Sequence, residues 1–151
     1  RVAVADLCEA MGRLGGPVAS DAARAFFSDA AAPGALERYF ETCLPHYTVR
    51  PLDTAALARV RMNRDLMLYF LRRGGDFHDL DLRSDLTGIE IPTLVVHGRK
   101  DPVYPPGCAD ETFAHLRCRQ KRLVYLDDCA HLSEQDAPDR IVDSIIDFFG
   151  L

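Results

Sequence analysis

The sequence predicts an α/β fold in which a helical region precedes two parallel strands and the helices that follow them. From residue 1 to about residue 84, apolar residues recur at intervals of three and four, which is the helical period. After Leu86 the pattern changes to strand, helix, strand, helix, an order typical of a parallel sheet. We therefore expect a helical domain at 1–84 and a sheet-bearing domain at 85–151.

Capping residues indicate where helices of the first region begin. Ser20 and Asp21 offer side-chain oxygens to the free backbone N–H groups of a helix over 22–28. Asp53 or Thr54 can cap a later helix in the same way, and its apolar stripe is expected to continue as far as a pair of glycines. Most aromatic residues of these helices are expected to pack in the core: Phe26, Phe27, Tyr39, Phe40, Tyr69 and Phe70.

Two short apolar runs predict buried strands, one within 91–98 and the other at 122–126. A helix is expected over 108–116 between them, and a closing helix over 138–149. Two parallel strands alone make too small a sheet to be stable in water. Further strands are therefore expected on an upstream segment, a companion chain or a second copy of this chain.

Composition excludes several classes of partner. The formal charge of −5 comes from 23 acidic and 18 basic residues, which are interspersed, so no basic face is expected for nucleic acid or acidic lipid. No apolar run approaches the roughly 20 residues of a membrane span. The 5 cysteines are odd in number and include no C-x-x-C pair, which favours reduced thiols and a cytoplasmic location.

Two loops carry residue types that suit acid–base chemistry. In a parallel sheet, reactive groups lie just beyond the carboxyl ends of the strands. Asp101 follows the first predicted strand and His131 follows the second, so both side chains are expected at the same edge of the sheet. A carboxylate that is hydrogen-bonded to an imidazole fixes its tautomer and stabilises the imidazolium formed when the ring accepts a proton.

The flanks of both loops resemble those of a known family. Residues 89–106 follow the pattern I-x-x-P-T-L-V-V-x-G-x-x-D-x-x-x-P-P, which resembles the acid-bearing segment of α/β-hydrolases. Cys129-Ala130-His131 resembles their histidine segment, with Asp136 at the acidic position often found five residues after the histidine. The helical region is similar to the cap of that fold, most of all in proline-iminopeptidase-like members. The resemblance implies that 85–151 forms the last two strands and helices of an α/β-hydrolase sheet.

The resemblance further implies a serine hydrolase in which Asp101 and His131 are two members of a catalytic triad. The family motif G-x-S-x-G is absent from the sequence, so the serine and the oxyanion hole are expected outside this chain. Such an enzyme needs no cofactor. Its substrate would be a short peptide with an amino-terminal proline, or another amide or ester. Glu37 and Glu41, one helical turn apart, could hold the cationic amine of such a peptide.

Structural interpretations stand beside each of these assignments. Asp101 could be a turn residue before a proline, and His131 a structural histidine, but their occurrence together and in order favours the triad. Cys129 could be a nucleophile activated by His131, but a small buried residue is favoured, because adjacent loop residues seldom point at one atom. For Glu37 and Glu41 a solvated helix face is favoured.

Other interpretations concern metals, fold and assembly. His46, His78 and His115 show no metal-ligand spacing, so no metal is expected. His97 lies at the end of an apolar strand and is expected in the core or at the rim of the sheet, not in catalysis. No glycine-rich phosphate loop follows either strand, which disfavours a flavodoxin-like domain. An alternative function is non-enzymatic. In it, the chain is an inactive hydrolase fragment that self-associates, as a homodimer, through its helices and unpaired strands.

Overall fold

The computed structural model describes residues 4–72, 75, 77 and 80–151. They form two compact units. One comprises Tyr47–Arg50 together with Asp81–Leu151, and the other comprises the remaining described residues, between 4 and 46 and between 51 and 80. The domain boundary expected from the sequence stays a prediction. The structure adds that Tyr47–Arg50 packs with the sheet-bearing unit although the chain on both sides of it belongs to the helical unit.

The helical unit is organised around its two longest helices. Buried residues of α1 (Val4–Ser28) pack against buried residues of α2 (Ala35–Cys43). The rings of Phe26 and Tyr39 stack with their centroids 4.5 Å apart, and both side chains are buried. Within the residues that the structure describes, the region also contains a 3₁₀ turn at Leu44–Tyr47 and the short helices α3 (Thr54–Leu57) and α4 (Arg64–Leu71).

The cap predicted at Ser20 and Asp21 is wrong, because both residues lie inside α1. This helix instead bends at Gly16, whose φ of 71° is a left-handed conformation that glycine adopts without strain. Pro17 follows and suits the first turn of the second helical segment, because a backbone N–H is not needed there. The helical stretch predicted over 22–28 therefore begins several residues earlier.

Side-chain caps begin both short helices. Asp53, one of the two residues predicted to cap, accepts a hydrogen bond from the Ala56 N–H at 2.9 Å. A second cap, at Asn63, was not predicted. The expected apolar stripe between and along these helices is largely exposed. Val60 and Leu66 of this stripe are each 62% exposed, and neither short helix has a buried residue, so the helical period there does not correspond to burial in this chain.

The sheet-bearing unit contains the predicted alternation of strands and helices. Strand β1 (Thr93–Gly98) pairs in parallel with β2 (Lys121–Leu126), in a register that aligns Gly98 with Leu126. The helices of this unit are α5 (Arg83–Leu86), α6 (Pro106–His115), α7 (Ser133–Asp136) and α8 (Pro138–Phe149). The two strands, the connecting helix and the closing helix are thus confirmed.

The sheet of the described residues has only these two strands, and much of its apolar surface is exposed. Residues of β1 other than Gly98 are half-buried. Helix α8 buries Phe148 but leaves four large apolar side chains exposed: Val142, Ile145, Ile146 and Phe149. None of the described helices has both the length and the apolar character that crossing a bilayer requires.

Candidate active site

The acid loop, residues 99–105, begins where β1 ends, and the carboxylate of Asp101 holds it in a turn. One oxygen of Asp101, Oδ1, accepts hydrogen bonds from the backbone N–H groups of Val103 at 2.7 Å and Tyr104 at 2.9 Å. This is the turn geometry that an aspartate two or three residues upstream can form. Because one oxygen is held by these two donors, the orientation of the whole carboxylate is fixed.

The other carboxylate oxygen of Asp101 contacts the imidazole of His131, which lies in the histidine loop, residues 127–132. His131 Nδ1 lies 2.9 Å from Asp101 Oδ2, a normal hydrogen-bonding distance. The Asp101 side chain is 5% exposed and that of His131 is 28% exposed, so the carboxylate is buried while one part of the ring remains accessible. Since an ionised carboxylate can only accept, this contact places the proton of a neutral imidazole on Nδ1 and leaves Nε2 as the base.

Backbone hydrogen bonds join the two loops. The Arg99 N–H donates to Leu126 O at 3.0 Å, and the Lys100 N–H donates to Cys129 O at 2.9 Å. The same two residues form ion pairs across the loops, to Asp127 and Asp128 at 2.7 Å each. These side chains are more than half exposed, so water screens the pairs and the backbone contacts set the separation of the loops.

Gly98 permits this close approach, and the sequence analysis did not identify its role. A Cβ atom at Gly98 would lie 2.3 Å from Ala130 O and 2.5 Å from Cys129 O, both of them backbone atoms of the histidine loop. The conformation of Gly98 is ordinary, so glycine is needed here for space and not for its backbone freedom. The signal in the sequence was a glycine at the end of a strand, which can mark a close backbone approach.

Asp136 anchors the histidine loop from behind. Its carboxylate is 1% exposed and accepts N–H groups from Ala130 at 2.8 Å, Val49 at 2.9 Å and Arg50 at 3.0 Å. Three donors satisfy the buried charge without a cation. The sequence analysis noted this aspartate only as a matching position of the resemblance. Its partners at 49 and 50 could not be found from the sequence, because nothing in the pattern pairs residues 86 and 87 positions apart.

Two aromatic rings lie against the imidazole. The Tyr47 ring is edge-on to His131 with centroids 4.9 Å apart, and the Tyr104 ring is tilted at 5.7 Å. The Tyr47 carbonyl also accepts the N–H of Leu132 at 2.8 Å. Partial burial, with a smaller contribution from Asp101, raises the pKa of the Tyr104 hydroxyl, so this hydroxyl stays protonated at neutral pH. The imidazole is thus held at Nδ1 and along its ring, and within the described residues no hydrogen bond occupies Nε2.

A cavity of about 390 Å³ opens beside the pair. Asp101, Tyr104 and His131 line it, together with residues of β1, α6 and the start of α8. His97, also in its wall, has its Nε2 2.9 Å from the carbonyl oxygen of Tyr104, which is consistent with the expectation that it lies at the rim of the sheet. The cavity offers space for a reacting group next to the imidazole.

The other candidate residues have different surroundings. Glu37 forms an ion pair with Arg64 at 2.7 Å, and a hydrogen bond from that guanidinium is the main cause that lowers the pKa of Glu37. Glu41 is exposed on the same helix. The use of either carboxylate in binding an amine stays a prediction.

Cys129 is 1% exposed, and burial, followed by the nearby Asp136, raises the pKa of its thiol. A raised pKa reduces the thiolate fraction, which disfavours Cys129 as a nucleophile. His115 contacts the Glu111 carbonyl of its own helix, and His78 lies outside the described residues. Among the side chains that the structure describes, no three potential ligands converge as a metal site.

Comparisons with known proteins point to one fold. No protein-family model matches the chain. Over 62 residues it is 37% identical to a pimeloyl-[acyl-carrier protein] methyl ester esterase of Nitrosomonas europaea and, again over 62 residues, 32% identical to 3-oxoadipate enol-lactonase 1 of Acinetobacter baylyi. These matches cover 41% of this chain and 24% and 22% of the two relatives.

Solved structures match over nearly the whole chain. MGS-M2, described as an alpha/beta hydrolase enzyme from a Medee basin deep-sea metagenome library, aligns with 98% of the chain at a TM-score of 0.52 and 18% identity. VinJ aligns with 97% at a TM-score of 0.62 and 23% identity. The chain spans 51% and 53% of these two structures, which is about half of their length. It therefore has a partial α/β-hydrolase fold, as the sequence predicted.

Proposed function

We propose that this chain is the carboxyl-terminal part of a serine hydrolase that acts on carboxylic esters, and that it supplies the acid and the histidine of the catalytic triad. The observation that carries the proposal is the 2.9 Å contact between His131 Nδ1 and Asp101 Oδ2, with the second carboxylate oxygen held by two backbone N–H groups. A turn residue or a structural histidine alone would not require both features at the mouth of a cavity.

In the proposed reaction, His131 Nε2 accepts the proton of a serine hydroxyl as the serine oxygen attacks the ester carbonyl. The imidazolium then donates that proton to the leaving alkoxide, which departs as an alcohol and leaves an acyl-enzyme. Water attacks the acyl group in the same way, releasing the acid and restoring the serine. Asp101 stays ionised throughout and stabilises the imidazolium. The serine and the oxyanion hole belong to residues outside this chain.

Two observations favour an ester over a peptide as the substrate. The curated relatives are named an esterase and a lactonase, and both names describe cleavage of a carboxylic ester bond. Glu37, one of the two carboxylates predicted to hold a peptide amine, is already paired with Arg64. The proline-iminopeptidase-like specificity therefore remains the second candidate, distinguished by assaying both substrate classes.

The proposed partner is the other part of the fold, which carries the nucleophile. The outer edge of β1 has no strand beside it within the described residues, and α8 exposes four large apolar side chains. An unpaired strand edge next to apolar surface is a docking surface for another strand. Whether that strand comes from a longer precursor, a companion chain or a second copy decides between an enzyme and the inactive homodimer.

The test starts from the encoding gene, expressed together with the sequence upstream of Arg1. The product is assayed with p-nitrophenyl esters and proline p-nitroanilide and is labelled with a fluorophosphonate probe. We expect ester hydrolysis and labelling that His131→Ala reduces at least about 10³-fold. His115→Ala is the matched control, because among the described residues the His115 ring has its hydrogen bond to a carbonyl of its own helix and lies outside the wall of the cavity.

Two results would contradict the proposal. One is a folded product that His131→Ala leaves as active as the unmodified protein. The other is a protein that never labels and that light scattering shows to be a homodimer, which would support the non-enzymatic alternative.

A further inference from the structure

We propose that Asp136 and the segment Tyr47–Arg50 together form a positioning device for the His131 imidazole. The inference rests on the proposed function, since it assigns these residues to the proton transfer that His131 performs. Neither the carboxylate nor the segment touches the reacting atoms. They act by fixing where the ring lies.

The Asp136 carboxylate forms a bridge between the histidine loop and Tyr47–Arg50. Oδ1 accepts the N–H groups of Val49 and Arg50, at 2.9 and 3.0 Å, and Oδ2 accepts the N–H of Ala130 at 2.8 Å and a longer bond from the same Val49 N–H at 3.1 Å. One buried carboxylate therefore joins the residue immediately before His131 to a segment more than 80 positions away in the chain. The charge makes each of these hydrogen bonds stronger than a bond between neutral groups.

Tyr47, at the start of the bridged segment, contacts the histidine loop directly. The Tyr47 carbonyl accepts the N–H of Leu132 at 2.8 Å, and its ring lies edge-on to the imidazole at 4.9 Å. The segment thus contacts the histidine loop on both sides of His131, through Ala130 by way of Asp136 and through Leu132 directly. With Nδ1 bonded to Asp101, these contacts restrict both the translation and the rotation of the ring.

Tyr47–Arg50 is separated in sequence from the residues with which it packs. Tyr47–Arg50 packs with the sheet-bearing unit, whereas the residues before and after it belong to the helical unit. A carboxylate that is 1% exposed is costly to bury unless its hydrogen bonds are satisfied. The three backbone N–H groups offset that cost, and in doing so they fix the loop of His131, which is itself bonded to the buried Asp101, against a segment from another part of the chain.

Asp136→Asn tests the bridge with little change in size. A carboxamide has a single acceptor oxygen, so it can accept from Ala130 and Val49 or from Val49 and Arg50, but not from all three, and its NH2 group then opposes the remaining backbone N–H. The readout is the NMR spectrum of the His131 ring in the product of the full gene, and it does not depend on activity. We expect the His131 Nδ1 proton to broaden or disappear through solvent exchange, and the nuclear Overhauser contacts between the rings of Tyr47 and His131 to be lost.

Two further variants separate positioning from general loss of structure. Asp143→Asn makes the same chemical change at an exposed position of α8 and should leave the His131 signals unchanged. Tyr47→Ala removes the ring and should shift the His131 signals without touching the buried carboxylate. The dispersion of the backbone amide signals shows in each case whether the variant is folded, and Tyr47→Ala keeps the inference testable if Asp136→Asn unfolds.

In the active product of the full gene, Asp136→Asn should lower kcat about 10-fold to 100-fold with KM nearly unchanged, because ring placement affects the reaction step and not substrate binding. A folded Asp136→Asn chain that keeps the Nδ1 proton and the ring contacts of the unmodified protein would overturn the inference. So would a folded Tyr47→Ala chain with unchanged His131 signals. A failure of the ester assay alone would overturn the proposed function and leave these NMR results to decide the positioning.

Discussion

Replacing Gly98 with alanine perturbs the point where the acid loop and the histidine loop come closest. The added Cβ would lie 2.3 Å from Ala130 O and 2.5 Å from Cys129 O. Neither oxygen belongs to a flexible side chain, so neither can rotate away. The histidine loop must move as a unit, and Cys129 O is also the acceptor that joins it to the Lys100 N–H.

The size of that movement follows from the contact distances. An ordinary contact between a methyl carbon and an oxygen needs about 1 Å more than the 2.3 Å that is present. A displacement of about 1 Å along the Asp101–His131 direction would stretch their 2.9 Å contact beyond hydrogen-bonding range. Misplacement on this scale lowers a reaction rate about 10²-fold. Overpacking of this kind costs about 1–3 kcal/mol in the free energy of unfolding.

The assay pairs ester hydrolysis by the product of the full gene with urea unfolding of both the product and this chain. Gly107→Ala is the matched control, because a Cβ there meets no atom within 4 Å and Gly107 lies in α6. We expect the control to keep full activity and to gain up to about 1 kcal/mol, since alanine favours helix more than glycine does. A Gly98→Ala variant with unchanged stability and unchanged rate would refute the reasoning about loop contact.

Three further predictions concern other contacts. In Asp101→Asn the amide oxygen should keep its hydrogen bonds from the two backbone N–H groups, so the amide NH2 group faces His131. Because Nδ1 must then accept, the proton of the neutral imidazole moves to Nε2. We expect kcat of the full product to fall about 10⁴-fold with little change in the unfolding midpoint. Asn63→Ala removes the cap of α4 and should lower the free energy of unfolding, measured in urea, by about 1 kcal/mol. Iodoacetamide at pH 8, followed by peptide mass mapping, should modify Cys129 more slowly than half-buried Cys108, because the Cys129 sulfur is less accessible. Burial raises the pKa of both thiols, so the expected difference comes from accessibility. Equal rates in the folded protein would contradict this, and equal rates in urea are the control.

The parts of the fold that local patterns determine were predicted correctly. The closing helix spans Pro138–Phe149 as expected, because a proline at its first position and a glycine after its last residue define both ends. The strand positions followed from short apolar runs, and the placement of Asp101 and His131 at one edge followed from the rule for parallel sheets. In each case, residues close in sequence carried the information.

Some of the parts that were missed depend on contacts between distant residues or on the absence of neighbours, and others on competing local signals. Nothing near Tyr47 in the sequence indicates that its segment packs with Asp136, since the contact is set by tertiary structure. The bend at Gly16 replaced a cap at Ser20 because a left-handed glycine before a proline competes with a serine as the start of a helical segment. Val60 and Leu66 have a helical period yet are exposed, because periodicity identifies a face that could be buried and not the surface that buries it.

We expect the geometry of the Asp101–His131 pair to depend on hydrogen bonds between buried carboxylates and the backbone more than on surface ion pairs. The ion pairs of Arg99 and Lys100 cross the same gap between the loops, but all four side chains are exposed, and salt screens such pairs. The bonds to the N–H groups of Val103, Tyr104 and Ala130 involve carboxylates that are buried, where water competes little. A site built in this way keeps its arrangement when the surface charges are neutralised and loses it when a single buried acceptor is removed. For the same reason Gly98 and Asp136, which bear no chemistry of their own, are expected to limit activity more than the charged residues that lie closer to Asp101 in the sequence.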